Sequence, residues 1–248
     1  MSVLLHQLKF EQRIFWRSRE AAIFVFIFPL LLYVLLGSVY GGKINGRPAE
    51  DVLLAGLFGY GAANTAFAGL AIILVGRRET GVLKRLRATP LPPTTYIGAV
   101  LLSTLVVFTL QSICLVALGT LAFGATAPQN WLGFAGAIVL GVACFAALGV
   151  AAAALIRSAE GVSAVVNVIV LPMAFLSGSF GPTRSYPAVL QAVADVLPLT
   201  YFLHIVYGVY LGGDSLFADP KALAVVVAWG IAGLGVALTR FGWMPRER

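Results

Sequence analysis

The sequence predicts an all-α integral membrane protein with six transmembrane helices. An N-terminal amphipathic interface helix precedes the first span, and an external re-entrant helical hairpin lies between spans five and six. Three observations lead there. Hydrophobic residues make up 60% of 248 residues and charged residues only 11%, with a mean hydropathy of +0.94, far from the composition of soluble domains. Apolar runs of spanning length recur near 21–40, 52–76, 96–123, 132–156, 162–181 and 221–240, each able to cross a hydrocarbon layer as one helix. No Asp, Glu, Lys or Arg falls in the middle of any run. Residues 1–248 read as one membrane domain with no room for a soluble catalytic domain.

The elements follow in chain order. Residues 1–20 are too polar to span, but at 100° per residue His6, Lys9, Arg13 and Arg17 share one face and Leu4, Leu8 and Phe15 lie opposite. That pattern predicts a helix over 4–18 lying on the membrane surface. The first span follows a polar leader too long for a secretory signal and is retained. It ends in "GSVYGGKI", where Gly37, Gly42 and Lys43 mimic a phosphate-binding loop. Ile44 stands where that loop needs Ser or Thr for Mg²⁺, and no buried strand precedes it, so the stretch reads as a glycine-rich exit turn. The chain therefore carries no nucleotide site of its own.

Basic residues give the orientation. Lys9, Arg13, Arg17, Arg19, Arg77, Arg78, Lys84, Arg85, Arg87, Arg157, Arg240, Arg246 and Arg248 share the side of the termini, against Lys43, Arg47, Arg184 and Lys221 on the other. Both termini are expected in the cytoplasm, and a cysteine placed at Asn45 should label from outside. The net charge of 17 − 10 = +7 thus records topology and not nucleic-acid binding. Cys114 and Cys144 lie in apolar runs without metal-ligand neighbours and read as packing residues.

Two connecting segments carry more than topology. "GRRETGVLKRLRATPLPPTTY", residues 76–96, places Val82, Leu83 and Leu86 on one side of a short basic helix stopped by prolines. Such an element suits either a groove on a soluble partner or lipid headgroups. Residues 172–213 are too broken for a simple crossing and too apolar for a solvated loop, which predicts short helices near 188–196 and 199–211 divided by Pro198.

"ETGVLKRLRATPLPPTTY" resembles the cytoplasmic loop of ATP-binding cassette (ABC) type-2 membrane permeases. "LPMAFLSGSFGP" followed by "YPAVLQAVADVLPLTYFLHIVYGVYLGG" is similar to that family's fifth span and external hairpin, here 182–213. The resemblance implies a plasma-membrane exporter subunit that pairs with a second permease, identical or related, above two copies of a cytosolic ABC ATPase. ATP and Mg²⁺ would sit on that partner. It makes 77–90 the coupling helix, with Glu79 capping its start, Val82 and Arg85 on it, and Leu83 and Leu86 as exposed hydrophobic knobs. The cargo it suggests is a drug, antibiotic or lipid.

Inside the spans the costly groups are uncharged: Asn64 and Thr65 in span two, Gln111 in span three, Asn167 in span five. They can be interhelical hydrogen bonds or contacts along a pathway, and Phe67 and Phe175 are aromatic candidates for the same route. The rival readings are an ion-gradient carrier, which ordinarily keeps an ionisable group at mid-membrane, and a membrane enzyme, for which His204 would be the one candidate catalyst.

Overall fold

The computed structural model describes residues 3–44, 46–183 and 186–244; Asn45, Arg184, Arg246 and Arg248 of the orientation argument lie outside these. Among the described residues six helices are long and apolar enough to cross a membrane: α2 (Arg19–Val39), α3 (Ala49–Glu79), α5 (Pro93–Ala122), α6 (Trp131–Leu155), α7 (Ala159–Ser177) and α10 (Pro220–Arg240). Before them stands α1 (Val3–Arg17), between α3 and α5 the short α4 (Val82–Arg87), and between α7 and α10 the pair α8 (Ala188–Ala194) and α9 (Pro198–Gly212), bent at 78°. Pro198 opens α9 in the first turn, where a missing N–H costs nothing.

Local chemistry sets the helix ends. Asn130, Ser158 and Asp219 each accept from the backbone N–H three residues on, at 2.8, 3.2 and 2.9 Å, and start α6, α7 and α10. Gly178, left-handed at φ 86°, closes α7. The "GSVYGGKI" stretch is the end of α2 followed by a two-residue antiparallel ribbon, Lys43–Ile44 with Arg47–Pro48. Its strand follows the glycines, the reverse of a phosphate loop, in agreement with an exit turn.

Spans two and three outrun the membrane. At 1.5 Å per residue the 31 residues of α3 and 30 of α5 measure about 46 and 45 Å, against a hydrocarbon core of about 30 Å. The sequence placed these spans at 52–76 and 96–123 because it counted apolar residues alone. The added residues are 49–51 and 77–79 of α3 and 93–95 of α5, and the last two stretches lie at the end of the bundle that carries α1 and α4, here called the basic end.

α3 is the axis of the bundle, with 83% of its apolar window buried, whereas only 11% of α2 and 28% of α7 are covered. Close approach to α3 is built on glycine. A Cβ on Gly149 of α6 would lie 2.7 Å from the Phe67 carbonyl oxygen and 2.8 Å from that of Ala66. Small residues likewise let α6 and α10 touch, with Gly233 against the Leu148 nitrogen.

α1 also packs on the bundle. Its basic residues are exposed, and Leu4, Leu8 and Phe15 are half-buried. That face leans on the lower part of α5, where Leu4 comes close to Gly98 and Gln12 Nε2 donates to the Ser103 carbonyl at 3.1 Å and hydroxyl at 2.9 Å. The projecting turn of α5 offers a surface the sequence could not locate.

Candidate functional site

A cleft of about 610 Å³ opens at the basic half of the bundle. Phe24 and Val25 of α2 form one wall, Asn167 of α7 the other, and Asn64, Thr65 and Ile72 of α3 with Val100 and Val107 of α5 the back. Its floor is polar: Glu11 of α1 and Arg77 and Thr80 of α3. The cleft therefore presents an apolar body and a charged base, the complement of an amphipathic molecule.

The back wall contains a π-helical segment, Ala63–Gly69. One extra residue per turn turns Asn64 and Thr65 from the α-helical register and widens the local groove, a distortion common at functional sites. Of the five pathway candidates, Asn64 and Asn167 line the cleft. Asn167 is exposed and its amide also donates to the Ser163 carbonyl of its own helix at 2.8 Å. Gln111 and Phe67 do not line it. Gln111 is buried, accepts from the Thr65 hydroxyl at 2.9 Å and donates to the Val25 carbonyl at 3.0 Å, so it joins three helices. Phe67 is buried under Gly149. Phe175, 54% exposed, sits nearer the opposite end of α7 and meets Phe180 edge-on at 4.8 Å.

The Gln111 link gives a first prediction. Thr65→Val keeps the volume and removes the donor, so unfolding in mild detergent should show a loss of about 1 kcal/mol, typical of interhelical hydrogen bonds in membranes. Wild-type stability would show that the bond is strained or replaced.

The floor holds the groups that residue reading missed. Glu11 is buried and its carboxylate accepts from Arg77 at 2.7 Å, while the same guanidinium donates to the Tyr96 hydroxyl at 2.7 Å. Gln7 donates to the other Glu11 oxygen at 3.0 Å. This seam joins α1, α3 and α5 in the projecting turns. The next residue does the same for α6: Arg78, 1% exposed, donates to the carbonyls of Ala153 and Ile156 at 2.7 and 2.6 Å, closing the C-terminal turn of that span. One available signal was the single acid within a basic helix. The other was adjacent arginines at the end of an apolar span, whose positions the orientation argument absorbed.

α4 also differs from expectation. Glu79 does not cap it; Glu79 is the last residue of α3 and its carboxylate accepts from Arg78 Nε at 2.9 Å. Gly81, left-handed at φ 71°, begins α4 instead. Leu83 is fully buried and Leu86 partly so, Val82 is half-covered, and Lys84, Arg85 and Arg87 are exposed. A six-residue helix cannot hold itself in water, so its leucines anchor it to the bundle. The face left for a partner is basic, not apolar.

At the opposite end a second cavity of about 600 Å³ lies between the ribbon, the end of α7 and the α8–α9 pair, with Arg47, Asp195, His204 and Asp214 on its walls. His204 is exposed there, edge-on to Tyr201 at 5.8 Å. Among the described residues no group of three His, Cys, Asp or Glu is arranged to hold a metal.

Comparison with known proteins gives consistent matches. Residues 4–211 fit the family model described as ABC-2 type transporter. A putative transport permease of Bacillus subtilis (strain 168), YvfS, is 23% identical over 231 residues, covering 92% of this chain and 93% of that one. The inner membrane transport permease YhhJ of Escherichia coli (strain K12) is 26% identical over 179 residues, 69% of this chain and 48% of its own length. The chain thus aligns with about half of that longer relative.

Proposed function

The chain belongs to the ABC-2 type transporter family and is a multi-pass transport permease, the membrane-spanning subunit of an ABC transporter; from that premise we propose that it exports an amphipathic compound. The cargo class is a drug, antibiotic or lipid small enough for the cleft between α2, α3 and α7. The observation that carries this reading is the cleft itself: apolar walls, two amides at mid-height and a charged floor within about 610 Å³.

In this reading the basic end faces the cytoplasm of a plasma-membrane protein. Two copies of a separate ATPase bind there and hydrolyse ATP, and a second permease, identical or related, completes the pathway on the open side of α2 and α7. α4 is the contact. Movement of α4 reaches Glu79 and the base of α3 directly, since only Thr80 and Gly81 intervene. Arg77 then carries it to α1 and α5, and Arg78 carries it to α6. Transport requires no covalent chemistry from these side chains; they hold helices in register while the cleft changes access.

The test is purification from native membranes in mild detergent. Wild type should bring down a stoichiometric ATPase. Replacing Lys84, Arg85 and Arg87 with Glu should cut it about tenfold or more, because like charges at an interface cost several kcal/mol, while leaving the melting temperature near wild type. A chain that purifies alone, with transport following an ion gradient, would sink the proposal and favour a secondary carrier. Leu83→Asp is the poorer probe, since it buries a carboxylate and unfolds the loop.

A further inference from the structure

The outward side of α1 has no assigned role. His6, Lys9, Arg13 and Arg17 recur along it every three or four residues, and all four are exposed. The sole carboxylate of the helix, Glu11, is turned inward to Arg77, on the side away from the stripe. On both flanks the exposed side chains are large and apolar: Val3, Phe10 and Ile14 along one edge, Leu5 and Trp16 along the other. A solvated helix face would not pair a basic ridge with two exposed hydrophobic margins.

Contacts fix α1 against the bundle. Gln12 bonds to Ser103 of α5, ten residues from the start of a span about 15 Å longer than a hydrocarbon core is thick. Trp16 stacks on Phe26 of α2 at 5.4 Å. These two contacts hold the second half of α1 beside the ends of two spans, and its exposed Trp16 is of the type that is stable at headgroup level.

We propose that this face binds the headgroups of anionic phospholipids, with Lys9, Arg13 and Arg17 on successive phosphates and the apolar margins among the upper acyl carbons. Charge complementarity commits the surface to an anionic bilayer rather than a zwitterionic one. The opposite face of the same helix holds the Gln7–Glu11–Arg77 seam, so lipid bound on one side steadies the base of α3 on the other. The inference depends on α1 lying at a membrane surface and not on the cargo or direction of transport.

The experiment uses the full chain in bilayers of phosphatidylcholine with phosphatidylglycerol, each lipid spin-labelled in turn, to read which is retained at the protein. Wild type should prefer phosphatidylglycerol, and the preference should fall with salt. K9Q/R13Q/R17Q, which keeps good helix formers and leaves the α5 contact untouched, should lower it about fivefold or more, the effect expected for even one basic residue near an anionic surface. K9R/R13K/R17K should behave as wild type and shows that the fold survives substitution there. Equal preference in the Gln variant, a salt-independent preference, or loss in the charge-conserving variant would each overturn the proposal. So would a Gln variant with unchanged lipid preference that no longer retains a co-purifying protein, which would make the surface a protein contact.

Discussion

Arg78→Ala should destabilise the protein by about 3 kcal/mol, because it strips two charge-assisted hydrogen bonds from the end of α6. The guanidinium is buried and its bonds to the Ala153 and Ile156 carbonyls are 2.7 and 2.6 Å long. Without it those two carbonyls lose a charged donor at the helix end. Thermal unfolding in mild detergent should fall by about 6–12 °C, at about 2–4 °C per kcal/mol for a chain of this size. Arg78→Lys should recover part of the loss, since an ammonium reaches one carbonyl but not both together with Glu79. A variant that melts with wild type would show that water replaces the arginine. In a complex with its ATPase, Arg78→Ala should also weaken the dependence of ATP turnover on cargo, because α6 no longer follows the base of α3.

Gly149→Ala should cost about 1–3 kcal/mol through overpacking, and transport should suffer before assembly does. Its Cβ would meet backbone, with the Phe67 and Ala66 carbonyl oxygens at 2.7 and 2.8 Å. Backbone cannot rotate away as a side-chain tip can. Those carbonyls belong to the π-helical segment that displays Asn64 and Thr65, so relief requires that segment to shift or rewind. Gly235→Ala is the control: nothing lies within 4 Å of its Cβ, and the better helix former should be neutral or stabilising. Equal behaviour of the two variants in unfolding and transport assays would remove the argument that the π-segment is held by close packing.

Much of the architecture was legible because lipid leaves the backbone few options. A run of apolar residues long enough to cross must be a helix, so six spans, a break close to Pro198 and the turn at "GSVYGGKI" follow from composition and spacing. Part of the candidate site was legible for a related reason: a polar group in a span is costly enough to be noticed. Asn64, Thr65, Gln111 and Asn167 stood out on that ground. Which of them faces a cavity did not. Gln111 looks like Asn64 in the sequence, and it is the Val25 carbonyl on a helix 86 residues away that makes it a link between spans.

The projecting turns were less legible, since in water-facing segments polar residues are unremarkable. Glu11 could be one more surface charge, Arg77 and Arg78 two more signs of orientation, and Leu83 an exposed knob. Each of these readings is sound for an isolated helix. The sequence by itself determined the number of spans and the basic end, because those depend on hydropathy and charge along the chain. Only the tertiary structure decided that Glu11 meets Arg77, that Arg78 closes α6 and that Leu83 turns inward. Burying a charge or a leucine there depends on partners from distant spans, and no local pattern records where those partners come to rest.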